Sequence, residues 1–248
     1  MKFAKSIALP ITLATALAAC GENEYEMAEL EVATTDGETE ALARALEPGD
    51  FADLNLGAKI EGPRGPEVKA SLGNEVGNLA DITSYVACPE GMEVCDPKTA
   101  PEGTIYTYVH IIYPGEDMDP MTGSGDGPDD IDIEEANAFM MAAPAHGFTG
   151  NAGFSKAEAV VAAGPMVDVV VTCEENGAIF WTVNPGDGGN QWEDAEPLTF
   201  YWQSTLPPAG PATAYSIRAN DVTGIGEGPY PAKNPEHSNA CTSLSTTG

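Results

Sequence analysis

Positive charge is what this sequence has least of. Ten Lys and Arg stand against 39 Asp and Glu in 248 residues. Such a chain repels nucleic-acid phosphates and anionic headgroups, and no basic cluster offsets the repulsion, which argues against a nucleic-acid partner. Histidine is nearly as scarce, with only His110, His146 and His237. A nucleophilic hydrolase needs a serine on a strained turn, a histidine and an acid. No Gly-x-Ser-x-Gly occurs, and in the nearest stretch, Gly153 to Ala157, Ser155 reads as a helix cap. The metalloprotease helix motif and the phosphate-binding Gly-Lys-Ser/Thr loop are also missing. Met140, Met141 and His146 lack the cysteine and second histidine of a blue-copper site and read as packing residues.

One long apolar run is present, Ile7 to Ala19, behind Lys2 and Lys5 and ending Leu17-Ala18-Ala19-Cys20. A basic head, an apolar segment and small residues at its end compose an export signal. The run is short of the ~20 residues a spanning helix needs, and Pro10 interrupts it. The cysteine directly after the small residues resembles the lipobox of bacterial lipoproteins. The resemblance implies a signal peptide over residues 1–19 and lipid on Cys20, with at least two acyl chains making a firm anchor. By the sorting rules of that family, Gly21 favours the outer membrane. Cleavage also removes two of the ten basic residues, leaving eight against 39 acids, or −31.

Four more cysteines remain: Cys88, Cys95, Cys173 and Cys241. An even number in an exported chain reads as two disulfides with three possible connectivities. Cys88 and Cys95 flank a short polar loop that can close locally, which leaves Cys173 for Cys241. Zinc would want closer cysteine pairs or nearby histidines.

Residues 20–50 are acidic and poor in large apolar groups, the pattern of a flexible tether. One helix-like piece, Glu40 to Leu46, lies within it, stopped by Pro48-Gly49. From residue 51 short strand-like runs alternate with Gly and Pro, which predicts a mostly β fold, an antiparallel β-sandwich with one or two short helices. Predicted strands are Phe51–Ile60, Val68–Leu72, Leu79–Cys88, Thr104–Tyr113, Leu198–Ser204 and Thr213–Val222. Ala136–Ala143 is apolar and open between strand and helix. Ser155 and Glu158 have capping-box spacing before a two-turn helix ended by Gly164-Pro165. Val167–Cys173 and Ala178–Val183 flank Asn176-Gly177, the signal of a type I′ hairpin. Pairing Glu175 with Ala178 would put Thr172 opposite Trp181 and Cys173 opposite Phe180, a hairpin covered on both faces. The domain spans residues 51–242, as one body or as subdomains 51–115 and 136–242, with a disordered tail at 243–248.

Within this pattern a second resemblance lies over Val167 to Pro231. Trp181, Asn184 to Gly189 and Leu198-Thr199-Phe200-Tyr201 are similar to the B and C strands of fibronectin type III domains. Leu206-Pro207 and Thr213 to Ala219 resemble that family's tyrosine corner and F strand. Gly224 to Pro229 would then be the loop before its last strand. Two or three strands expected between Gln203 and Leu206 are missing, so the resemblance supports an immunoglobulin/fibronectin III-like sandwich rather than a complete family domain.

Two candidate sites emerge. Trp181 and Trp202 fall on core strands, whereas Trp192, in the loop Gly188 to Glu196, is expected exposed and is the candidate ligand-stacking residue. Glu116 to Glu135 is dense in acids, Gly and Pro without Lys or Arg. Calcium takes six to eight oxygens from such loops, and Asp117, Asp119, Asp126, Asp129, Asp130 and Asp132 are the candidate ligands. The spacing departs from the EF-hand at Thr122, and a solvated acidic loop is the rival reading. A firm tether, a sandwich scaffold and no recognisable catalytic set together predict a non-enzymatic binding or structural lipoprotein of the envelope, its partner a protein or a glycan. The alternative is an envelope glycan hydrolase using a carboxylate pair, since 39 acids make some suitable pair inevitable.

Overall fold

Short β-rich runs build most of this molecule, some alternating buried with half-buried residues and others buried almost throughout. In the computed structural model, residues 44–115, 132–193, 196–233 and 239–242 are described. They fall within one unit, Ala41–Gly248. Their elements are β1 (Arg44–Leu46), β2 (Gly49–Asp50), β3 (Leu56–Lys59), β4 (Val68–Gly73), β5 (Asn78–Pro89), β6 (Tyr106–Pro114) and β7 (Ala136–Met141). After these come β8 (Phe148–Phe154), α1 (Lys156–Ala163), β9 (Asp168–Cys173), β10 (Ile179–Asn184), β11 (Leu198–Ser204), β12 (Pro208–Ala219) and β13 (Val222–Pro231). A short 3-10 turn, Phe51–Asp53, follows β2.

The strands join one sheet in the order β1-β9-β10-β7-β12-β13-β4-β5-β6-β11-β8-β2, with β3 beside β5. All the strand pairs are antiparallel except β2 with β8. The sheet folds over on itself. His110 on β6 lies 4.1 Å from Tyr215 on β12, Phe139 on β7 lies 5.0 Å from Phe200 on β11, and Trp181 on β10 lies 5.9 Å from Phe200. None of these strands are neighbours in the pairing order. The aromatic side chains of the two halves therefore meet in one core, sealed where Trp181 Nε1 donates to Gly153 O on β8 at 3.0 Å.

Both disulfides have the expected partners, Cys88–Cys95 and Cys173–Cys241. The helix starts and stops where its caps predict. Ser155 accepts from Glu158 N, and Gly164 closes the C-terminus at φ 92°. The Glu158 carboxylate does not return to the cap; it takes Thr199 N at 2.7 Å and ties the helix to β11.

Several expectations need correction. Arg44–Leu46 is not helical but pairs with β9, and Gly49–Asp50 pairs with β8, so the end of the presumed tether belongs to the sheet. The subdomain division does not hold, because β6 pairs with β11 across it along seven residues. The β9–β10 register is one residue away from the expected one: Thr172 faces Phe180 and Val171 faces Trp181. Gly177 N donates to Glu174 O and Glu174 N to Ala178 O, with Gly177 at φ 83°. Gly177 therefore closes a turn over Glu174–Gly177 instead of forming a two-residue loop with Asn176. With this register buried Trp181 shares a face with buried Val171, and half-buried Phe180 with half-buried Thr172. The hairpin sits near a sheet edge, next to β1.

The fibronectin-like stretch also differs in detail. Tyr215 bonds forward, to Pro229 O at 2.7 Å, where a tyrosine corner bonds a few residues upstream. Gly224 to Pro229 lies inside β13 rather than in a loop. β12 pairs with β7 and β13. Of the segments that sequence reading left unassigned, β8 and β13 are strands.

Candidate functional site

Trp192 is fully buried, contrary to expectation. Its indole donates to Glu196 O at 2.8 Å, and its own carbonyl accepts from Ala136 N. The loop thus folds its one large apolar residue against Phe200, ring centres 5.8 Å apart, and the residue cannot serve as a surface platform. Cys20, Asp117, Asp119, Asp126, Asp129 and Asp130 lie outside the described residues. Asp132 is exposed, and its backbone carbonyl accepts from Asn220 Nδ2 at 2.7 Å. Asn220 Oδ1 also accepts from Glu134 N and Glu135 N, so this side chain pins the chain where the acidic segment ends. Among the described residues no cluster of His, Cys, Asp or Glu could hold a metal.

A serine–histidine contact does exist. Ser84 Oγ and His110 Nδ1 are 2.9 Å apart, both residues buried. On the other ring nitrogen, Trp202 Nε1 donates to His110 Nε2 at 3.3 Å. An indole N–H can only donate, so Nε2 is the acceptor and Nδ1 carries the proton, which it donates to the serine. The imidazole therefore cannot take the serine's proton at Nδ1. Burial holds the His110 pKa down at about 3, so the ring stays neutral. The contact is a satisfied core pair, lying under Tyr215 and beside Phe139.

Concavity occurs elsewhere, at the seam between β13 and β4. The two strands share a single bridge, Ile225 with Gly73. A cleft of about 420 Å³ lies where they diverge. Along β5, β4 pairs with the first part and β3 with the end. Between β3 and β4 the chain reverses in a tight turn, Gly62 and Gly65 exchanging backbone bonds at 3.1 and 3.0 Å. That turn forms one wall. Pro208, Pro211 and Pro229, at the joined ends of β12 and β13, form the second, and Ile60, Val68, Tyr85 and Val86 supply apolar surface between them.

Asp96-Pro97-Lys98 makes the third wall. Cys88–Cys95 fixes it from below, and Asp96 holds its own loop by accepting from Lys98 N, Thr99 N and Ala100 N. The ion pairs found among the described residues stand close by. Lys59 meets Glu67 at 2.6 Å, and its ammonium lies 3.8 Å over the Tyr85 ring. Arg64, on the tight turn, meets Glu227 on β13 at 3.1 Å. Burial, then Glu67, then Glu158 raise the Tyr85 pKa, so the phenol is neutral at ordinary pH.

Prolines keep this seam apart. Pro211 and Pro229 face each other across the β12–β13 hairpin, as do Pro208 and Pro231. Two prolines cannot exchange N–H bonds, so these are pairs whose nitrogens face away from one another. The missing N–H of Pro229 is therefore on the β4 side, where a ladder bond would have formed. No signal in one linear stretch marks this cleft, because its walls come from residues 60 to 229.

Compared with protein-family models, with curated proteins and with solved structures, the chain finds no match. Among the described residues no helix is long and apolar enough to cross a membrane.

Proposed function

We propose that this chain is a lipid-anchored protein of the bacterial envelope, held at the outer membrane through Cys20, whose cleft binds a ligand without chemistry. The observation that carries the binding role is the cleft itself. It is concave and largely apolar, its 420 Å³ is within the range of about 300–1,000 Å³ for small-molecule sites, and proline and a disulfide preform its walls. The lipobox residues and two disulfides support an exported, oxidising location. The sheet packed against itself supports an immunoglobulin-like antiparallel β-sandwich, though wider at 13 strands and without the fibronectin strand order, since β12 pairs with β7.

Two measurements test the reading. Labelling of cells with a fatty-acid analogue should mark the chain and be lost in Cys20→Ala; a label that survives the substitution refutes the anchor. The neutral fluorophore N-phenyl-1-naphthylamine should bind the purified chain at one saturable site, weakened in Tyr85→Ala. A signal that never saturates refutes the binding role.

A further inference from the structure

We infer that the ligand of the β4–β13 cleft is an uncharged apolar molecule, poor in hydrogen-bonding groups, and not an extended peptide. The inference rests on the cleft being a binding site and names what it takes. A gap between two strand edges is ordinarily where a peptide adds as an extra strand, drawing its affinity from backbone hydrogen bonds. Here the edges cannot supply them in sequence. Continuing the register set by Ile225 and Gly73 would place Pro229 opposite Lys69, and Pro229 has no N–H to give. Pro66, Pro97, Pro208 and Pro211 in the same lining are equally without donors. A peptide or sugar sealed against these prolines would leave polar groups dry and unpaired, each costing about 1–3 kcal/mol.

The charges point the same way. In a chain of 39 acids, most of the charge around the cleft is paired. Lys59 is closed on Glu67 and Arg64 on Glu227, and Glu61, Asp96 and Lys98, also in the lining, leave one acid in excess. Such surroundings give an anion no net attraction and leave the larger part of the lining to apolar contact. Beside these charged groups, the lining offers a ligand Ile60, Val68, Val86, the proline rings and the ring of Tyr85.

The test is displacement of N-phenyl-1-naphthylamine from the full chain. Decanol should displace it competitively, whereas a soluble strand-forming peptide, acetyl-(Val-Thr)4-amide, and maltotriose should not at tenfold higher concentration. The sulfonated analogue 8-anilinonaphthalene-1-sulfonate, of the same ring framework, should bind at least about tenfold more weakly, a difference of about 1.4 kcal/mol. Displacement by the peptide or the sugar, or equal binding of the sulfonate, overturns the inference while leaving the cleft a binding site. Failure of the neutral probe to bind at all overturns the binding role and this inference together.

Discussion

The two ends of β13 make opposite contacts with the same neighbour. At its start, Gly224 and Gly226 lie against β4 so closely that a Cβ on either would meet the Leu72 or Ser71 carbonyl at 2.7 or 2.3 Å. At its end no further bridge to β4 follows Ile225, and Pro229 lines the cleft. Glycine closes the seam because it removes the side chain that would hold two backbones apart. Proline opens it because it removes the donor that would hold them together. The same strand thus encodes a closed and an open half, with Tyr215 packed over Gly228 at the boundary.

The disulfides offer the largest lever on this contrast. Cys173–Cys241 spans 68 residues and ties the chain end to β9, whereas Cys88–Cys95 spans seven and fixes a cleft wall. Loop-closure entropy gives about 4 kcal/mol for the long closure and about 2.5 for the short one. Changing both Cys173 and Cys241 to Ser should therefore lower the urea midpoint more, yet leave probe affinity intact. Changing both Cys88 and Cys95 to Ser should cost less stability and weaken the probe. The reverse assignment of binding loss would break the link between that loop and the cleft.

Next in size is the glycine seam. Gly226→Val puts its branch onto the Ser71 carbonyl, and overpacking of this kind costs about 1–3 kcal/mol. Urea unfolding should show that loss, while Ala at nearby exposed Thr223 should change stability little. Equal effects at the two positions would mean the strands are not in close contact.

The buried core beneath Tyr215 gives a slope rather than a step. His110 is neutral when folded down to about pH 3, but unfolded it takes a proton near 6.5. The unfolded state therefore binds the extra proton between those values, and stability falls as pH falls. The contribution is fully present above 6.5 and is lost at about 1.4 kcal/mol per pH unit toward 3. Acid unfolding series of the wild type and His110→Gln should differ by that slope, whatever the carboxylates add to both. Parallel curves would contradict a buried, neutral ring.

Residues whose partners are close in sequence were legible: the Ser155 cap, the Gly164 stop, the β-branched run of β6 and the local Cys88–Cys95 loop. Misreadings arose where glycine or proline serves a distant partner. Gly153 in β8, and Gly224 to Pro229 in β13, look like loop residues because their lack of side chain or donor makes sense only against β2, β4 and the core. Turn chemistry misled in the same way. Positive φ at two successive residues occurs at Asn220 and Asp221, between β12 and β13, and not at Asn176. Trp192 reads as a surface residue because nothing in its loop announces Phe200 or Ala136 as neighbours. Of the site, only the disulfide behind one wall was legible.

The most direct measurement of the central claim is the dissociation constant of N-phenyl-1-naphthylamine for Pro229→Val, set beside its urea midpoint. Valine nearly keeps the volume and restores an N–H on the β4 side, so the seam can extend toward Lys69. The account predicts a chain at least as stable as the wild type that binds the probe about tenfold or more weakly, a change of about 1.4 kcal/mol. Unchanged affinity in a variant of unchanged stability would contradict it.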